Sequence, residues 1–159
     1  MDGEHTIERS FEVTSAVLDA LYEALFLQRV RLDGTLLKPN MVLSGYGASQ
    51  QATVEEVAEA TVRCFRATVP SAVPGIVFLS GGQSDELATA HLNAMNRLGD
   101  LPWQLSFSYG RALQAPALQA WKGETANVDA GRNAFLHRAK LNSAARSGSY
   151  SPEMEKAAN

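Results

Sequence analysis

Residues 35–38, Thr-Leu-Leu-Lys, followed by Pro39-Asn40-Met41-Val42, decide how the rest of the chain is read. The run is too short and too apolar for a helix, and Pro39 lacks the N–H that would continue a sheet ladder. The spacing therefore predicts a strand over 35–38, buried on both faces and ending at the proline. Two later stretches repeat the pattern, Gly75-Ile76-Val77-Phe78-Leu79 and Gln104-Leu105-Ser106-Phe107-Ser108.

Helical periodicity fills the intervals. From Thr6 to about Gln28, Ile7, Phe11, Leu18, Leu21, Tyr22 and Leu25 recur at three- and four-residue steps, as one stripe of a helix does. Thr53 followed by Glu56 is a capping box that opens a second helix, running to about Thr68 with Val54, Val57, Ala58, Thr61 and Phe65 inward. A third spans about Ser84 to Leu98, with Leu87, Ala88, His91, Leu92 and Met95 on its apolar stripe. Two more cover about Ala112 to Trp121, bent or restarted near Pro116, and about Asn127 to Ser147. Residues 42–51 read as an irregular loop, and the Ser-, Lys- and Ala-rich tail from about Gly148 is expected to fray.

Strands that alternate with helices and are apolar throughout indicate an α/β fold with a parallel, helix-covered sheet. Three strands are few for one folding unit of 159 residues. A complete eight-stranded β/α barrel takes about 250 residues, so the pattern suits its second half.

Composition narrows the partners. Lysines and arginines number 14 against 17 aspartates and glutamates, a formal charge of -3, and the basic residues are scattered. Nucleic acid and anionic membrane are not indicated. Cys64 is the only cysteine and lies on an amphipathic helix; it reads as a buried inert thiol in a reducing, cytoplasmic setting. His5, His91 and His137 stand far apart, without a metal-ligand spacing, so no metal or cofactor is expected. The acidic MDGEHTIERS start has no signal-peptide character, and no window holds eighteen apolar residues in a row.

All three strands end in polar residues: Lys38, then Ser80-Gly81-Gly82, then Ser108-Tyr109-Gly110-Arg111. The carboxyl ends of parallel strands are where reacting groups collect. Glycines between a strand and a helix start can aim free backbone N–H groups at an anion, and Arg111 adds a guanidinium fork. Lys38, flanked by Leu36, Leu37 and Met41, is expected to be partly desolvated, which favours the neutral amine that attacks a carbonyl carbon. The plainer reading of these residues is a set of βα turns, a solvated arginine and a lysine that snorkels to water.

TLLKPNMV, GIVFLSGGQSDELA and LSFSYGRALQAPALQAW, in this order and spacing, resemble class I fructose-bisphosphate aldolase, and the similarity runs over nearly all of the chain. The resemblance implies a (β/α)8 TIM barrel in which Lys38 forms a Schiff base with the ketone carbon of fructose 1,6-bisphosphate or dihydroxyacetone phosphate. It implies further that Ser80, Gly81, Gly82, Ser108, Gly110 and Arg111 bind the phosphate on the ketone side, without a metal, in an oligomer that is tetrameric when complete. Members of the family are about twice as long. The chain then corresponds to a C-terminal portion, parallel strands six to eight with their flanking helices, as in a truncated or mis-started reading frame or a separated gene half. The acid/base glutamate carried by earlier strands is missing, and SPEMEKAAN lacks the terminal tyrosine of the animal-type enzymes. Two alternatives stay open. One is a non-catalytic phosphosugar-binding or oligomerising barrel fragment; the other is a different Schiff-base lyase on the same barrel. An open half-barrel would expose strand edges and its inner face, and is expected to be poorly soluble, molten or dimerising.

Overall fold

The computed structural model describes residues 1–157. Its elements run α1 (Ile7–Leu27), β1 (Leu36–Leu37), α2 (Val54–Thr68), β2 (Gly75–Phe78), α3 (Asp85–Arg97), β3 (Gln104–Phe107), α4 (Arg111–Trp121) and α5 (Val128–Arg146). Short 3-10 segments lie at Leu32–Gly34, Thr125–Asn127 and Pro152–Ala157. The strands form one parallel sheet in the order β1-β2-β3. Leu37 faces Ile76 across the first pair, and Ile76 and Phe78 face Leu105 and Phe107 across the second. Sequential parallel strands joined by helices make the repeating wall of a β/α barrel.

The helix starts are fixed by local chemistry. The Arg9 amide donates to the Thr6 hydroxyl at 3.3 Å. Thr53 and Glu56 close a reciprocal capping box, with the Thr53 amide donating at 2.8 Å and the Glu56 amide at 3.2 Å. The Leu87 amide donates to Ser84 at 3.2 Å. Each bond satisfies an otherwise orphaned N–H of a first turn, which is why these starts lie within a residue or so of those expected. Of the bend or restart expected near Pro116, α4 shows no restart and runs through the proline as one helix.

The core lies between the sheet and the helices. Phe78 and Ile76 meet Phe65 and Val57 of α2 and Leu92 and Met95 of α3, all fully or almost fully buried, and the Phe65 and Phe78 rings stack at 5.8 Å. Burying one such side chain contributes roughly 1.5–3 kcal/mol. α1 lies on α2, where the buried Cys64 thiol meets the Ser15 hydroxyl at 3.3 Å. Burial pushes that thiol's pKa up, so it is not poised as a nucleophile. Leu21 and Leu87, assigned to inward stripes, are exposed.

Two expectations are corrected. The strands are not covered on both faces: Ile76 and Phe78 are 0% exposed toward the helices, whereas Leu36 on the opposite side is 63% exposed. Among the described residues one layer of helices packs on this sheet, and its other face is largely open, with Leu36 exposed and Val77 and Ser106 half-buried. Nor do the described residues from Gly148 onward fray; residues 158–159, also part of that expectation, lie outside the described residues. Tyr150 is buried, its amide donates to Asn93 Oδ1 at 3.0 Å, and its hydroxyl donates to Glu155 at 2.9 Å. Arg138, 4% exposed, binds Glu155 Oε2 at 2.6 Å, the Asp85 carbonyl at 2.8 Å and Thr89 Oγ1 at 2.6 Å. A buried guanidinium must be paired, so Arg138 on α5 fastens the segment that follows α5 to α3.

Candidate functional site at the strand ends

One residue beyond the Leu37–Ile76 pair, the sheet register brings Lys38 level with Val77 on β2 and, through β2, with Ser106 on β3. Side chains alternate along a strand. Because Ile76 and Leu105 face the helices, Lys38, Val77 and Ser106 face the open side. Lys38 is exposed there, which corrects the expected partial desolvation: β1 is an edge strand here, with no neighbour on its far side among the described residues. Backbone pairing continues past the strand ends. The Leu79 amide donates to the Pro39 carbonyl at 3.0 Å, and the Ser108 amide to the Phe78 carbonyl at 2.8 Å. The three strand exits are therefore held side by side.

On β2, Ser80 to Gln83 make a tight turn closed by the Gln83 amide donating to the Ser80 carbonyl at 3.1 Å. Gly81 and Gly82 have φ of +60° and +96°, a conformation that side-chain-bearing residues rarely adopt. Ser80 is buried, Gly81 half-buried and Gly82 exposed. The Ser84 cap and the first turn of α3 follow directly, adding the positive end of a helix dipole.

On β3, the residues of the Ser108–Arg111 stretch separate by direction. Tyr109 points into the core, where its hydroxyl donates to the Ala88 carbonyl of α3 at 2.8 Å; burial raises its pKa and keeps the phenol neutral. Ser108 is half-buried, while Gly110 and Arg111 are exposed at the mouth. Gly110 occupies the N-cap position of α4 without a side-chain cap. The Arg111 guanidinium crosses to the neighbouring loop, its Nη2 lying 3.5 Å from where a β-carbon on Gly82 would stand. Gly82 and Arg111 are thus brought together, whereas Lys38 is tied to them by sheet register and not by contact.

Tyr46 is a member of this cluster that sequence reasoning missed. Its hydroxyl donates to the Gly81 carbonyl at 3.0 Å, and its ring edge lies 3.6 Å from the Gly82 β-carbon position. Burial raises its pKa, against the opposing pull of Arg111. The residue sits in the segment read as an irregular loop, where no periodicity marks it. That loop is anchored by the first residues of the chain: the Gly45, Tyr46 and Gly47 amides donate to the carbonyls of His5, Met1 and Gly3 at 2.8, 3.1 and 2.8 Å. A β-carbon on Gly45 would collide with the Gly3 carbonyl.

Behind the turn, Gln83 Nε2 donates to the Ser80 carbonyl at 3.0 Å, and Gln83 Oε1 meets His91 Nδ1 at 2.6 Å. His91 is 2% exposed, and burial lowers its pKa to about 4, so the ring is neutral at physiological pH. Among the described residues no group of three or more histidine, cysteine, aspartate or glutamate side chains is placed to hold a metal ion, and no helix is long and apolar enough to cross a membrane.

Comparison with known proteins shows which family the chain resembles. The family model described as fructose-bisphosphate aldolase class-I matches residues 1–159. A fructose-bisphosphate aldolase of Dictyostelium discoideum is 56% identical over 153 residues, which cover 96% of this chain and 43% of that protein. Fructose-bisphosphate aldolase 4, cytosolic, of Arabidopsis thaliana is 54% identical over 151 residues, covering 94% and 38%. Among solved structures, the Plasmodium falciparum aldolase in ternary complex with TRAP and a small-molecule inhibitor matches with a TM-score of 0.93 at 51% identity, over 94% of this chain and 43% of that one. The chain spans less than half the length of these relatives.

Proposed function

Because the chain belongs to the class I fructose-bisphosphate aldolase family, we propose that it carries the Schiff-base and phosphate-binding strands of an enzyme that reversibly cleaves fructose 1,6-bisphosphate to dihydroxyacetone phosphate and glyceraldehyde 3-phosphate. The observation that carries this reading is the shared end of the sheet. Lys38, the Ser80–Gly82 turn and Arg111 follow the carboxyl ends of three consecutive parallel strands, which in this reading are strands six to eight of the barrel.

In this mechanism the Lys38 amine adds to the ketone carbon and water leaves, giving a protonated Schiff base. The iminium accepts the electron pair of the breaking C3–C4 bond, the aldehyde departs, and an enamine of dihydroxyacetone phosphate remains to be protonated and hydrolysed. The phosphate is held between the Gly81 and Gly82 amides and the Arg111 fork. Holding it there fixes the ketone at the lysine, which converts a bimolecular encounter into a positioned one. The proton transfers on the departing hydroxyl need an acid/base group, a role that the family resemblance assigns to a glutamate on an earlier barrel strand. We assign the complete protein to the cytoplasm and to a homo-oligomer on the same family grounds.

The exposure of Lys38 favours a second reading for the isolated chain, a phosphosugar-binding fragment without turnover. Borohydride reduction in the presence of dihydroxyacetone phosphate separates the two. A reduced adduct mapped by mass spectrometry to Lys38 is the expected outcome; an unmodified Lys38 at saturating ligand would sink the covalent mechanism for this chain.

A further inference from the structure

We propose that Gln83 and His91 form a buried positioning pair that holds the Ser80–Gln83 turn in its anion-binding conformation; this rests on the phosphate-cradle reading above. Both side chains are buried, and neither can reach a ligand at the mouth. Their effect is transmitted through the Ser80 carbonyl, which accepts from the Gln83 backbone amide at 3.1 Å and from Gln83 Nε2 at 3.0 Å. Double acceptance pins the first residue of the turn. Gly81 and Gly82 must then keep their positive φ, the turn conformation in which the cradle reading has their amides meet an anion.

Hydrogen-bond polarity fixes the rest of the relay. A carbonyl can only accept, so the Gln83 nitrogen faces Ser80 and its oxygen faces His91. The short 2.6 Å contact therefore needs a proton on His91 Nδ1. Nε2 then carries a lone pair in the core, and it has no partner among the described residues. An orphaned acceptor in the core is costly, and an aliphatic residue here would avoid it. The donation to Gln83 is what the imidazole supplies in return. Gln83 Nε2 also lies 3.6 Å from Met41 Sδ, three residues past Lys38, so the same amide touches the loop that leaves the lysine strand.

The test uses the isotope-labelled full chain, titrated with inorganic phosphate and followed at the Gly81 and Gly82 amides, with a thermal melt for each variant. Wild type and His91→Asn, whose side-chain amide can still donate to Gln83, should bind alike. His91→Leu should bind about three- to tenfold more weakly, the loss expected for one hydrogen bond, and Arg111→Ala should abolish the response. Loss in Arg111→Ala with unaltered affinity in a cooperatively melting His91→Leu would overturn the positioning role alone. No response in wild type would overturn the cradle reading and this inference with it. If His91→Leu does not fold, the imidazole nitrogen resonances of the wild-type chain decide: an Nδ1–H tautomer supports the relay, and an Nε2–H tautomer overturns it.

Discussion

Ile76 and Leu36 lie on strands that pair with each other, and both come from short apolar runs, yet one is fully buried and the other 63% exposed. What separates them is what each face of the sheet meets. α2 and α3 seal one side, while the other carries Lys38, Val77 and Ser106 into the open. The helix-covered side therefore holds the fold, and the open side with its polar exits carries the proposed site. Apolar composition marks a strand, but the neighbour that covers it decides how much the burial contributes.

Three measurements sharpen or break this contrast. The largest effect is expected at Phe78, which is fully buried and stacked on Phe65. Phe78→Ala should cost about 3–5 kcal/mol in urea unfolding, as aromatic truncation in a packed core does. A loss under 1 kcal/mol (about a third of the low end of that range) would mean that the covered face is not a packed core.

The next effect is acid lability from His91. Its folded pKa of about 4 lies below its ordinary 6.5, so between those values the unfolded chain binds the extra proton. Stability from this group is complete above about pH 6.5 and is lost as pH falls toward 4. The loss is about 3 kcal/mol, at about 1.36 kcal/mol per unit. His91→Asn should flatten this part of the stability profile. The Asp85 carboxyl, whose pKa burial raises, works in the opposite sense at low pH and stays in both chains as a common background.

The smallest effect belongs to the open face. Leu36→Ser should change unfolding free energy by no more than about 0.5 kcal/mol while reducing concentration-dependent association, read by light scattering. A large destabilisation would show that this face is buried in solution.

Much of the fold was legible because its signals are local. Thr6, the Thr53–Glu56 box and Ser84 mark helix starts through contacts three residues apart, and short unbroken apolar runs against a period of 3.6 separate strands from helices. What stayed illegible is long-range. The uncovered sheet face depends on elements absent from the strand's own sequence. The docking of Tyr150 and Glu155 depends on Arg138, which lies on a different element, so the tail's composition alone suggested fraying. In the candidate site, the polar strand ends showed in sequence, but Tyr46 sits in an aperiodic loop and meets Gly81 from 35 residues away. His91 lies on a helical stripe like any core residue, and only the turn after β2 brings Gln83 to it.

The central claim is that Lys38 and the glycine–arginine cradle act on one ligand. It is tested most directly by comparing borohydride-trapped adducts at Lys38 from dihydroxyacetone phosphate and from dihydroxyacetone, in wild type and in Arg111→Ala. The phosphorylated ketone should label wild type far more efficiently than the unphosphorylated one, and Arg111→Ala should erase that preference while leaving the weak labelling by dihydroxyacetone in place. Equal labelling by both ketones in wild type would contradict the claim, leaving the lysine and the cradle as separate features of one sheet edge.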